Sequence, residues 1–132
     1  MNRKALLSVA LVGAFIAEHP ASACMAPNFE QWVFVESRPG EVPYGLTLIQ
    51  VEVPATIDRW GMIEVAVIDG DMPWHAGSRL RINPGSYSSC SRWGVVGRRA
   101  YVLGVMTFGE QGEPFLAVVQ QPNPNYEHSG RD

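Results

Sequence analysis

The chain has 132 residues, of which 46% are hydrophobic and 17% are charged, and its 13 Asp and Glu residues outnumber its 10 Lys and Arg residues. A net negative chain lacks the basic surface that a phosphate backbone requires, so nucleic acid is not expected as a partner. This length fits a single domain, and no stretch after the N-terminal region approaches the roughly 20 apolar residues that cross a bilayer.

The N-terminal residues have the pattern of an export signal. The basic pair Arg3-Lys4 precedes an apolar run over residues 5–17 that is too short to span a membrane, and Ala21-Ser22-Ala23 supplies the small residues of a cleavage site. We therefore predict a signal peptide over residues 1–23, whose removal makes Cys24 the first residue of a secreted or periplasmic protein. The remaining chain carries eight Arg and twelve Asp or Glu residues, so it stays net negative.

Cys24 and Cys90 are the two cysteines of the chain. An exported protein can form disulfides, and two cysteines allow one intramolecular pairing, so we predict a Cys24–Cys90 bridge. The alternative is lipoprotein processing, in which Cys24 is acylated and anchors the protein. Ala21 stands where lipoprotein signals usually have Leu or another large aliphatic residue, and acylation would leave Cys90 unpaired, so the sequence favours the bridge.

Residues 28–37 fit two kinds of secondary structure. Asn28 with Gln31 could cap a short helix, whereas Trp32, Phe34 and Glu36 alternate as they would in a strand. Both alternatives stay open from the sequence.

Five later segments are predicted to be strands, the first three from the two-residue period of half-buried strands and the fourth from its β-branched and aromatic residues. In the first, Ile49, Val51 and Val53 fall on one face while Gln50 and Glu52 fall on the other. The predicted strands are residues 46–55, 61–70, 78–82, 100–108 and 114–121.

Turn residues separate these segments and suggest how they are connected. Residues 109–112 contain two Gly between strong strands, which is typical of a hairpin over residues 100–121. Residues 122–132 have no apolar period and are expected to form a flexible C-terminal tail. The pattern predicts an all-β protein with room for one short helix. A small closed or nearly closed barrel suits five short strands, because it protects the sheet edges.

The cysteine spacing and the strand rhythm resemble those of netrin-like modules, as found in the N-terminal domain of tissue inhibitors of metalloproteinases. That family begins its mature chain with a cysteine, bridged to a second one at a separation similar to that between Cys24 and Cys90. The stretch "SYSSCSRWGVVGRRAYVLGVM" around Cys90 is similar to the family pattern, and "IEVAVIDG" followed by "SRLRI" fits its second and third strands. The resemblance covers residues 24–121 and implies a five-stranded, OB-fold-like Greek-key barrel.

In those inhibitors the free α-amino group and the carbonyl of the first cysteine chelate the zinc of the target protease. The resemblance therefore implies that Cys24 binds a partner's zinc, that Met25 enters the adjacent specificity pocket, and that a zinc metalloprotease is the protein partner. The chain departs from the family at Ala26, which replaces a second cysteine, and it lacks the other bridges. The residues that the resemblance places at the partner surface are Cys24, Met25, Ala26, Pro27, Tyr87, Ser88 and Ser89.

Structural roles compete with these functional ones. The bridge could simply tether the N-terminus, and Met25 could fill a gap in the core. Trp60, Trp74 and Trp93 lie near predicted turns, where they either plug the barrel ends or form a stacking platform for a sugar or a peptide. The alternative function is thus a non-inhibitory envelope module that binds a peptide or a glycan.

The sequence gives no pattern of an enzyme or of a cofactor site. His75 has no second ligand at a metal-binding spacing, and Asp69 and Asp71 flank Gly70 in a turn. A bridged Cys24 cannot act as a nucleophile. We expect neither catalysis nor a cofactor.

Overall fold

The computed structural model describes Cys24 and residues 29–125. Within these residues the regular structure consists of strands, and no helix is long and apolar enough to cross a membrane. The strands are β1 (Gln31–Phe34), β2 (Thr47–Glu52), β3 (Ile63–Asp69), β4 (Arg79–Asn83), β5 (Ser91–Gly94), β6 (Arg99–Phe108), β7 (Pro114–Val118) and β8 (Gln121–Pro122).

Five of the strands form a closed barrel in the order β2-β3-β4-β7-β6, and β6 returns to pair with β2. Neighbouring strands are antiparallel except β4 and β7, which run parallel. This order and this single parallel pair are those of an OB-fold-like Greek-key barrel, so the predicted fold class is confirmed. The five barrel strands match the five predicted strand segments.

The barrel encloses the apolar face of each alternating strand. In β2, Ile49 and Val51 are fully buried while Glu52 is exposed. In β4, the buried residues Leu80 and Ile82 alternate with exposed Arg79, Arg81 and Asn83. Ile82 lies opposite Leu116 of β7, and both are fully buried, so both strands of the parallel pair contribute to the core. Burying a side chain of this size contributes roughly 1.5–3 kcal/mol, which makes the barrel interior the main source of stability.

Gly104 lies where β6 passes from one partner strand to the other, pairing with Thr47 of β2 and Val118 of β7. A Cβ atom at Gly104 would meet the backbone oxygen of Ala117 and would lie 2.8 Å from the Cγ atom of Leu116. The barrel closes tightly here because residue 104 has no side chain.

A second, three-stranded sheet has the order β5-β1-β8 and shares the barrel's core. β1 runs parallel to β5 and antiparallel to β8, and Val35 bridges to Tyr101 of β6. Val33 and Phe34 of β1 are fully buried. The strand alternative for residues 28–37 is therefore the correct one at residues 31–34.

The predicted Cys24–Cys90 bridge is confirmed, with the two Cα atoms 5.1 Å apart. It joins the start of the described chain to the residue that immediately precedes β5. The three-stranded sheet is thus covalently tied to Cys24.

The expected flexible tail is wrong for residues 122–125. Pro122 belongs to β8, and Asn123 is 3% exposed. The Asn123 backbone N–H donates to the carbonyl of Glu30 and its side-chain Nδ2 donates to Glu30 Oε1, over 3.0 and 2.8 Å. These long-range hydrogen bonds have no periodic signature in the sequence, and residues 126–132 lie outside the described residues.

Candidate functional site

Cys24 is bridged to Cys90, whose backbone carbonyl and N–H both form hydrogen bonds. The Cys90 carbonyl accepts a hydrogen bond of 2.9 Å from the backbone N–H of Gln31, at the start of β1. The Cys90 N–H donates to Ser88 Oγ over 3.2 Å. Because Cys90 is held from both sides, the half-buried Cys24 is attached to a rigid part of the fold.

The segment from Tyr87 to Ser89 precedes Cys90 and is itself locked in a turn. The Ser88 backbone N–H donates to the Ser91 hydroxyl over 3.0 Å. The Ser91 backbone N–H donates to the Ser88 carbonyl, also over 3.0 Å. The Arg92 guanidinium donates to the Ser89 carbonyl over 2.7 Å. Tyr87 remains 66% exposed, so it projects from this turn.

The structure therefore brings four of the predicted partner-contact residues into one region, because the bridge attaches Cys24 to the end of the 87–89 segment. Met25, Ala26 and Pro27 lie outside the described residues, and their roles stay predictions.

The partly buried carboxylate of Glu30 joins several elements at the base of this region. Glu30 Oε2 lies 3.2 Å from the Nε atom of Arg92, while Glu30 Oε1 accepts hydrogen bonds from Asn123 Nδ2 and, over 3.3 Å, from Trp32 Nε1. The Glu30 side chain is only 20% exposed, so these partners replace water that the carboxylate has lost. No sequence pattern predicts this cluster, since its members are spread over nearly the whole described chain.

Trp60, Trp93 and Tyr87 form a continuous aromatic cluster beside the 87–89 segment. The ring centroids of Trp60 and Trp93 are 4.7 Å apart, and Tyr87 meets Trp60 edge-on at 5.6 Å. Trp93 stacks in turn on the buried ring of Phe34 at 5.9 Å. The Trp60 indole N–H donates to the Gly85 carbonyl over 2.8 Å, which fixes the orientation of the ring.

Trp74 does not join this cluster, because it is 3% exposed and packs in the barrel core. Of the three Trp residues predicted to be either core plugs or a platform, Trp74 is a core residue. Trp60 and Trp93 are partly buried and pack against the core. They also contact each other, and Tyr87 contacts Trp60.

A shallow groove of about 320 Å³ runs along these rings, and we call it the aromatic groove. Arg92 is paired with Glu30, whereas Asp58 and Arg59 form no ion pair with another described residue. Among Cys24 and residues 29–125, the groove thus has one carboxylate and one guanidinium, at neighbouring positions, that form no ion pair. Its lining residues are Ile57, Asp58, Arg59, Trp60, Tyr87, Ser91, Arg92 and Trp93.

The segment around Asp69 and His75 has the hydrogen bonding of a turn. The Asp71 carbonyl accepts from the Trp74 N–H over 2.7 Å, and the His75 carbonyl accepts from the Ser78 hydroxyl over 2.7 Å. Among Cys24 and residues 29–125 no group of three His, Cys, Asp or Glu side chains is arranged to hold a metal ion.

Comparison of the chain with family models, with curated proteins and with solved structures gives no match. The resemblance to netrin-like modules therefore remains a prediction from the residues quoted above.

Proposed function

We propose that the protein is an exported protein-binding module that inhibits a zinc metalloprotease. In this proposal the α-amino group and carbonyl of Cys24 bind the protease zinc, Met25 fills the neighbouring pocket, and Ala26, Pro27 and the 87–89 segment contact the rim of the cleft. The observation that carries the proposal is the bridge from Cys24 to Cys90, which attaches Cys24 to the residue that follows the 87–89 segment, where Tyr87 is exposed.

The chemistry requires a free and rigid N-terminus. A catalytic zinc keeps one coordination position open for water, and an uncharged amine is a suitable nitrogen ligand for that position. The bridge and the hydrogen bonds of Cys90 restrain Cys24 before binding, so less conformational entropy is lost on association.

The state of the N-terminus is tested by the intact mass of the exported protein, measured with and without reduction and alkylation. A chain that begins at Cys24, is unacylated and takes up two alkyl groups only after reduction supports the proposal. A lipid-sized mass increment on Cys24 contradicts it, because an acylated or anchored terminus cannot present a free amine.

Inhibition is tested with two forms of the protein, one beginning at Cys24 and one with a single Ala in front of it. Each is titrated against several zinc metalloproteases with fluorogenic peptide substrates. The first form is expected to inhibit at least one protease and the extended form to lose at least a hundredfold in affinity, because the added residue displaces the amine from the zinc.

Two substitutions provide the comparison within the folded domain. Tyr87→Ala removes an exposed ring of the proposed contact surface and is expected to weaken inhibition, whereas Tyr44→Ala removes a fully exposed ring from the loop before β2 and is expected to leave it unchanged. Equal inhibition by the extended and unextended forms would show that zinc chelation by Cys24 is wrong.

A further inference from the structure

We propose that the aromatic groove is a binding site for an uncharged saccharide, independent of the free amine of Cys24. The site is formed by the β2–β3 loop, which supplies residues 57–60, and by the segment from Tyr87 to Trp93. These two segments are distant in sequence and meet through the contact of Trp60 with Trp93 and Tyr87.

The rings are held in place before any ligand arrives. Trp93 lies on the buried ring of Phe34, Trp60 packs on Trp93, and the Trp60 indole N–H is bonded to the Gly85 carbonyl. A rigid aromatic surface loses little entropy when a ligand stacks on it. One face of a pyranose ring consists of C–H groups with a small positive charge, which suit the negative faces of such rings.

The polar groups of the groove suit hydroxyl groups better than ions. Asp58 offers hydrogen-bond acceptors and Arg59 offers donors, and their charges cancel. Arg92 adds no free charge because Glu30 neutralises it at 3.2 Å. Asp58, Arg59 and the Arg92–Glu30 pair together carry no net charge, so a phosphate, a nucleic acid or a strongly charged peptide gains no net attraction here. Adjacent sugar hydroxyls, in contrast, both donate and accept hydrogen bonds.

The shape of the groove also fits a saccharide. A volume of about 320 Å³ lies at the lower end of the roughly 300–1,000 Å³ of small-molecule sites, and the groove is shallow with one wall of rings. An apolar side chain of a protein partner would instead require a deeper apolar pocket, whereas Phe34, on which Trp93 stacks, is fully buried in the core.

The test uses the whole exported protein and two neutral trisaccharides, cellotriose and triacetylchitotriose. Each is titrated while the indole N–H signals of the Trp residues are followed by ¹H–¹⁵N NMR. Saturable shifts are expected at Trp60 and Trp93 with at least one trisaccharide. Trp74, buried in the barrel core, is the internal control and its signal is expected to stay in place.

Variants identify the contributing groups. Tyr87→Ala and Asp58→Asn are each expected to raise the dissociation constant of the trisaccharide roughly tenfold, the change that loss of one stacking or hydrogen-bonding contact of about 1.4 kcal/mol produces. Tyr44→Ala is the matched control for loss of an exposed Tyr and is expected to bind as the unaltered protein does.

The proposal is overturned if neither trisaccharide shifts the Trp60 and Trp93 signals, or if both binding-site variants bind like Tyr44→Ala. It is also overturned if a neutral Pro-rich peptide shifts these signals while the trisaccharides do not, because the groove is then a peptide site. The form with one Ala before Cys24 separates the two proposals: it is expected to lose protease inhibition and to keep saccharide binding.

Discussion

Removal of the Cys24–Cys90 bridge by the double substitution Cys24→Ser and Cys90→Ser is expected to lower the free energy of unfolding by about 4 kcal/mol. The bridge joins residues 66 positions apart, and in the chain-entropy model a closed loop of that length restricts the unfolded chain by about this amount. Both cysteines are only half-buried, so the loss of their packing adds little. The hydrogen bonds that hold Cys90 come from backbone atoms and Ser88, and they remain possible in the variant.

The measurement is equilibrium unfolding in urea, followed by the fluorescence of the four Trp residues. The variant's transition midpoint is expected to fall, and its slope to rise, because an unbridged chain exposes more surface when it unfolds. Reducing agent should shift the transition of the unaltered protein to that of the variant and should leave the variant itself unchanged. A loss below about 1 kcal/mol would refute the reasoning, because the bridge would then constrain the unfolded chain hardly at all.

Two further substitutions test the barrel itself. Gly104→Ala is expected to cost about 1–3 kcal/mol in urea unfolding, because the added Cβ meets the Ala117 carbonyl and the Leu116 side chain, whereas Gly61→Ala, where a Cβ meets nothing within 4 Å, should change stability by less than about 0.5 kcal/mol. Equal effects at the two positions would contradict this account of barrel closure. Trp74→Ala is expected to cost about 3–5 kcal/mol through the cavity that it leaves, and a change of less than 1 kcal/mol would mean that Trp74 does not fill the core.

The barrel strands could be predicted from the sequence because each buries one face. Ile49 and Val51 in β2, and Leu80 and Ile82 in β4, alternate with polar residues, and this period specifies both the strand and its inner side. The order of the strands could not be derived from periodicity, since the parallel pairing of β4 with β7 joins segments with no local relation. The order came instead with the netrin-like resemblance.

The sequence patterns of the strands in the second sheet are weaker than those of the barrel strands. β5 reads Ser-Arg-Trp-Gly and ends at Gly94, whose backbone φ of 84° is accessible mainly to glycine. β8 has two residues, one of them Pro122. Such short segments are stabilised by pairing with β1 and not by a pattern of their own, so only the folded chain reveals them.

The candidate site was predicted in parts. Two cysteines in a chain that we predict to be exported allowed one bridge, and that bridge attaches Cys24 to the end of the 87–89 segment. The contact between Trp60 and Trp93 depends on how the β2–β3 loop packs against β5. From the sequence alone, Trp74 had the same two possible roles as these residues, a core plug or part of a stacking platform. Glu30 gave no signal, because a single carboxylate acquires its role only when the strands bring Arg92 and Asn123 to it.

Folding of β1 has to wait for segments that come much later in the chain, because those segments are its pairing partners. β1 is the first strand of the described chain, yet its partners are β5, β8 and, through Val35, Tyr101, which all lie at residue 91 or later. Val33 and Phe34 therefore have no strand partner until the last third of the chain is available. Non-local β pairing of this kind is associated with folding in milliseconds to seconds, because long loops must close before their contacts form. A ribosome-bound chain that lacks its C-terminal third is thus expected to leave its first strand exposed and open to binding by chaperones or export factors.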